Sequence, residues 1–178
     1  MSTSQYPMWK YYPSWQQPPS WVDAVIAAFV AAQPKIDSRA NSGVTSDAAL
    51  AVVRPALVQL GFEVEASKSR KDKLTRPVLY GEVGESVVAF EVDGFHRQFG
   101  IVLEVEAGRG AMNNADYRDL IRASLMVDAA YLVLAMMLQY SGGGAAVKSY
   151  EATRGRIDAI YASERLKLPL KGILLIGY

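Results

Sequence analysis

The sequence predicts an α/β domain built on a mixed sheet, and three observations carry that reading. Between Phe62 and Glu106, segments alternate apolar and polar side chains with the period of two that marks half-buried strands. From Asn113 to Met126 the period turns helical. Tyr131 to Met137 is then a continuous apolar run, as expected of a strand covered on both faces.

The elements follow in order. Residues 1–21 hold all three tryptophans and four of the eight prolines, with Pro-x-Trp three times at a period of six: Pro7-Met8-Trp9, Pro13-Ser14-Trp15 and Pro19-Ser20-Trp21. Proline fixes φ and removes a donor, so this stretch reads as an extended arm before a single domain spanning 22–178. Its indoles either lie in grooves of their own domain or reach a second subunit or another partner, which makes a homodimer through the arm one candidate assembly. Ser20 is placed to cap a first helix with Val22, Val25, Ile26, Phe29 and Val30 on its apolar face, ended by Pro34. A second helix is expected from Ser46 as N-cap to Leu60, burying Leu50, Val53, Leu57 and Leu60, with a kink at Pro55 and Gly61 in the left-handed C′ position.

Strands are then expected at Phe62–Glu65, Val78–Tyr80, Val87–Asp93 and Ile101–Glu106, with Gly94–Gly100 linking the last two as a hairpin. The helix over 113–126 puts Tyr117, Leu120, Ile121 and Leu125 on one side. A strand, that helix and the strand Tyr131–Met137 form a parallel crossover. Residues 146–164 read as a helix buried through Tyr150, Ile157, Ile160 and Tyr161, and Gly172–Ile176 closes as a strand.

With 178 residues, 51% hydrophobic and 21% charged, the chain has a globular composition and can bury a sizeable core. It has no cysteine, which removes thiolate metal sites, disulfides and cysteine nucleophiles together. That, and an N-terminus without a basic start and apolar stretch, leads us to expect a cytoplasmic protein. The longest uncharged run, Ala129 to Val147, is broken by Ser141-Gly142-Gly143-Gly144, so no membrane span is expected. No phosphate-cradling Gly-x-x-x-x-Gly-Lys loop or dinucleotide fingerprint occurs. One histidine, His96, excludes a histidine-rich metal site and is expected in a surface loop.

The net charge of +1 is a sum of unlike parts. Residues 68–76 carry +4, while 82–106 hold six carboxylates against Arg97. In the acidic part, Glu91 and Asp93 share one predicted strand face, and Glu104 and Glu106 share another with Val102. Two carboxylates one residue apart in an apolar strand are costly unless they are hydrated or neutralised. A hydrated sheet face meets the first condition, and a hard cation such as Mg²⁺ meets the second. Ala107-Gly108-Arg109-Gly110 follows directly, and Arg118 and Arg122 lie one helical turn apart beyond it, placed either to hold a phosphate or to pair with Asp116 or Asp119.

A helix, a Gly-Phe strand, an Asp ending the next strand and Glu-x-Glu on the strand after a hairpin together resemble the PD-(D/E)XK nuclease superfamily, over about Ser46 to Met137. The resemblance implies a restriction-endonuclease-like core of helix, antiparallel strands, helix and parallel strand, extended by the N-terminal arm and helix and the C-terminal helix and strand. It implies a metal-dependent endonuclease that hydrolyses DNA phosphodiester bonds, with Asp93 and Glu104 holding Mg²⁺ or its substitute Mn²⁺. The family's usual third-position Lys is Glu106 here, as in some type II restriction enzymes. That position would orient or deprotonate the attacking water, and Glu91 is a candidate extra ligand. Lys68, Arg70, Lys71, Lys73, Arg109 and Arg118 are the candidate contacts to DNA phosphates. The alternative is a nuclease-fold binding or assembly protein without catalysis.

Overall fold

The computed structural model describes residues 5–67, 69–107, 114–140 and 146–178. Lys68, Arg109 and the Ser141–Gly144 glycine run lie outside the described residues. The chain is mixed α/β. A six-stranded sheet has the order β1 (Met8–Tyr12), β8 (Gly172–Gly177), β7 (Tyr131–Met136), β6 (Ile101–Glu106), β5 (Gly94–His96), β2 (Glu63–Val64). β6, β7 and β8 are parallel, with Glu104 beside Leu134 and Leu134 beside Leu175; the outer pairings are antiparallel. Strands β3 (Leu74–Tyr80) and β4 (Ser86–Val92) form a separate two-stranded ribbon.

Strand alternation sorts the core into two layers. Leu103, Val105, Val133, Leu174 and Ile176 face helices α1 (Trp21–Ile36) and α2 (Ser46–Gln59), which bring Val25, Phe29, Val53 and Leu57. Val102, Leu132, Leu134, Ile173 and Leu175 face α3 (Ala115–Leu125) and α4 (Ser149–Ser163), which bring Leu120, Ala123, Tyr150 and Ile157. β7 and β8 are therefore apolar on both sides, which is why their sequences carry no alternation. Among the described residues no helix is long and apolar enough to cross a membrane.

Several sequence expectations need correction. Residues 86–92 do not pair with β6. They pair with β3, and the chain bends at Asp93, so the hairpin to β6 is short: Gly94 opposite Leu103, Phe95 opposite Val102 and His96 opposite Ile101. Alternation shows that a segment is a strand but does not name its partner. His96 is consequently buried in β5, not in a surface loop; Nε2 lies 3.0 Å from the Leu60 carbonyl and the ring stacks on Phe99. On α3 only Leu120 of the expected apolar face is buried. Tyr117, Ile121 and Leu125 are exposed, whereas Asp116 and Asp119 are buried with Leu120 and Ala123. α1 runs past Pro34 to Ile36, and Pro55 leaves α2 continuous. Gly61 does adopt the left-handed conformation after α2, at φ +94°.

The Pro/Trp stretch is extended over β1, which pairs with this chain's own β8, and then turns at residues 13–16. Trp21 packs edge-on against Tyr131, while Trp15 stays exposed. The ribbon is tied down by the Arg76–Asp128 ion pair, by the Arg76 guanidinium 4.0 Å from the Phe95 ring and by the Val127 amide donating to Pro77. These ties bring Lys73 and Glu91 to the end of β6.

The helix caps also differ from expectation. Ser20 makes no side-chain cap bond, and α2 is capped by Thr45, not Ser46, its side-chain oxygen accepting from the Ala48 amide at 3.1 Å. Thr45→Ala is therefore expected to lower stability by about 1 kcal/mol. Ser20→Ala should change it by only a few tenths, and urea titration of the two variants measures the difference.

Candidate active site

The site is assembled where β5, β6, the ribbon and two helices meet. Asp93 occupies the bend between β4 and β5. Its Oδ2 accepts from the Val105 amide at 2.8 Å and its carbonyl accepts from the Glu65 amide at 2.8 Å, so one residue fastens β6 and the end of β2 together. Gly94 makes this approach feasible, since a Cβ there would lie 3.1 Å from Leu103 and 3.2 Å from the Glu63 carbonyl.

Glu104 sits mid-strand in β6 with only 6% of its surface exposed. Among the described residues its Oε1 is buried without a hydrogen-bond partner. Glu106 follows two residues later on the same face, its Oε1 accepting from Arg118 at 2.9 Å. Asp119, on α3, completes the group from the opposite side. Its Oδ1 accepts from Arg118 Nε at 3.1 Å and lies 3.6 Å from Arg122, and its carboxyl shares a hydrogen bond with that of Glu106. Asp119 Oδ2 has no partner among the described residues.

Asp93, Glu104, Glu106, Arg118 and Arg122 line a cleft of about 300 Å³ that also takes in Asp47, Glu65, Lys73 and Glu91, with Asp119 behind the lining. Lys73 Nζ lies 3.0 Å from Glu91 and 3.2 Å from Glu65.

Asp93, Glu104, Glu106 and Asp119 each hold their proton more tightly than usual. Burial pushes Asp93 up to about 6, against the opposing pull of the Val105 amide. Burial, then repulsion from Asp93 and Asp119, pushes Glu104 well above the ordinary carboxylate range. Glu106 is pushed up to about 8 by burial and then by Asp119. Burial raises Asp119 too, although Arg118 pulls it down. These shifts follow the two rules that desolvation and like charge both disfavour the ionised form.

The structure thus brings Asp93, Glu104, Glu106 and Arg118 together and sets Lys73 at the rim. Arg70 and Lys71 are exposed and outside the cleft lining. Glu91 is an exposed partner of Lys73, and Glu63 pairs with Arg97. Arg118 and Arg122 do pair with Asp119, whereas Asp116 pairs with Arg156 and Thr153. Sequence reasoning missed Asp119. The available signal was its place between Arg118 and the buried Leu120, which only the correct helix face reveals.

The donor chemistry fits a hard divalent cation. The donors are all oxygen, the carboxylates repel one another, and Glu104 has a buried oxygen without a partner. Among the described residues, however, no three His, Cys, Asp or Glu side chains are arranged as one metal-holding group.

The shifted carboxyls set the pH dependence of stability. Each binds its proton to a higher pH in the folded chain than in the unfolded one. The folded state therefore holds more protons between 3.8 and about 6 for Asp93, and between 4.5 and about 8 for Glu106. The stability these groups contribute is greatest below that window and falls as pH rises through it, by on the order of a few kcal/mol per group. Thermal melts in chelator should show a lower Tm at pH 8 than at pH 5, and Glu104→Gln should raise the pH 8 value.

No family model matches the chain, and comparison with curated proteins and with solved structures likewise gave no match.

Proposed function

We propose that the protein is a metal-dependent endonuclease hydrolysing DNA phosphodiester bonds, with a restriction-endonuclease-like core. The observation that carries this reading is Glu104, a buried carboxylate without a partner for Oε1, grouped with Asp93 at the bend and Glu106 on the same strand. Supporting it is the sheet around them, in which β5 and β6 run antiparallel and β6 and β7 are joined through α3 as parallel neighbours.

Asp93 and Glu104 are the residues that would hold Mg²⁺ or Mn²⁺. When bound, such an ion neutralises the carboxylates, shields charge on a phosphate and acidifies a water. Glu106 stands where a water would be oriented or a proton taken. Its link to Asp119 fixes the carboxyl's direction, and Arg118 limits how far its charge is exposed. Lys73 and Arg118 supply positive charge at the rim for a phosphate backbone, and Arg70 and Lys71 extend it along the neighbouring loop. The bend at Asp93 keeps the ribbon at the cleft mouth, where a duplex would be received.

A second reading, a nuclease-fold binding or assembly protein without catalysis, is favoured by one observation. The acids of the cluster are already answered in part by Arg118 and Arg122, without a three-residue metal group among the described residues.

Two measurements separate the readings. Nicking or linearisation of supercoiled plasmid should require Mg²⁺ or Mn²⁺ and fall on the order of a hundredfold or more in Glu104→Gln and in Asp93→Asn. Cleavage by Glu104→Gln at the wild-type rate would remove the catalytic assignment. Independently, Mn²⁺ should raise the Tm of the wild type by mass action and leave that of Asp93→Asn unchanged. A wild-type Tm indifferent to Mn²⁺, with no metal-dependent cleavage, would favour the binding protein.

A further inference from the structure

A second recess, larger than the acidic cleft at about 410 Å³, lies between the turn after β1 and the connection from α4 to β8. Its features are unlike those of the cleft. Trp15, held on a turn in which the Gln16 amide donates to Pro13, leaves 74% of its surface to solvent, the most of any large aromatic among the described residues. Its ring meets Tyr161 edge to face at 6.1 Å. Tyr161 in turn stacks on Tyr12 at 5.3 Å. Asp158 holds the Tyr12 hydroxyl at 2.7 Å, and Lys10 fixes Asp158 at 2.6 Å. The aromatic wall is therefore braced from behind, and its outermost ring presents an open face. The lining also carries Lys167 and Lys171, both exposed and, among the described residues, neither drawn into an ion pair. Glu164 is the carboxylate of the lining.

We propose that this groove binds single-stranded nucleic acid, with a base stacked on the Trp15 indole and neighbouring phosphates on Lys167 and Lys171. The occupant follows from the pairing of chemistries. An exposed indole on a rigid aromatic stack offers a π-face that any base can cover. Two unpaired ammoniums beside it complement the phosphates that flank a base, and would be left unanswered by a neutral aromatic or by a proline-rich peptide. An acidic peptide would satisfy the lysines and leave the indole bare. A duplex keeps its bases stacked inside and could use only the lysines. Because Asp93, Glu104 and Glu106 take no part in it, the site stands or falls independently of the nuclease reading.

The test is a titration of the full chain with a short oligothymidylate in chelator, following tryptophan fluorescence and the anisotropy of a labelled strand. The expected result is quenching on binding, with log K falling against log salt at a slope of about −1.4 for two phosphate contacts. Trp15→Ala should weaken binding about tenfold, and Trp15→Phe should restore most of the loss. Lys167→Gln combined with Lys171→Gln should flatten the salt dependence, and Lys35→Gln, on α1 and outside the groove lining, should leave the affinity unchanged. Trp15 is exposed, so its variants are expected to fold, and circular dichroism verifies this. Wild-type affinity in a folded Trp15→Ala would overturn the proposal. So would equal affinity for the matching duplex with the same salt slope, or preferential binding of a proline-rich peptide.

Discussion

The constraint on which the rest of the structure depends is a carboxylate placed in the middle of a strand that is covered on both faces. Burying an ionised carboxyl group without compensation costs several kcal/mol, and an apolar residue of similar volume at Glu104 would stabilise the sheet instead. β6 neighbours β7 and lies in a core otherwise filled by Val, Leu and Ile, so nothing in the packing asks for an acid there. The surroundings add to this cost and relieve only part of it. Asp93 and Asp119 add repulsion to Glu104, and Arg122 relieves part of it.

Asp93 then explains how the fold delivers the remaining groups. It belongs to neither β4 nor β5. Its carboxylate instead satisfies the Val105 amide, and its carbonyl satisfies Glu65. Those two bonds convert a run that would otherwise continue as one strand into two, the ribbon strand β4 and the sheet strand β5. The ribbon leaves the sheet at this point and is caught again by Arg76, Pro77 and the 127–128 turn. Lys73 and Glu91 reach the cleft only because of that detour. A bend imposed by one acidic side chain thus sets both the floor and the rim of the site.

This division also marks what the sequence could disclose. The shared face of Glu104, Glu106 and Val102 was legible, because period-two alternation fixes sidedness once a strand is identified. The inner strands β7 and β8 were legible from unbroken apolar runs. Pairing was not, since the same alternation in 87–93 serves a ribbon as well as a sheet. The face of α3 was misread because Tyr117, Ile121 and Leu125 form a more apolar stripe than the buried one, which contains Asp116 and Asp119. Hydrophobic periodicity assumes that burial follows polarity. It fails where buried acids are held by Arg156, Arg118 and Arg122.

The charge balance of the cluster binds these points together. Asp93, Glu104, Glu106 and Asp119 face Arg118 and Arg122, so the fully ionised group would carry two uncompensated negative charges. Raised proton affinities are one way for a buried site to shed that excess, and the shared hydrogen bond between Glu106 and Asp119 is where it takes effect. A single divalent cation is the other, and it cancels the same two charges without protonating any group. The arginines lower the number of charges to be answered, which lets four acids share so small a volume. They cannot abolish the excess, because Glu104 Oε1 remains without a donor among the described residues. A cluster built only for stability would have ended in neutral pairs, as Asp116 does with Arg156. The remaining charge is what supports reading this cluster as a site.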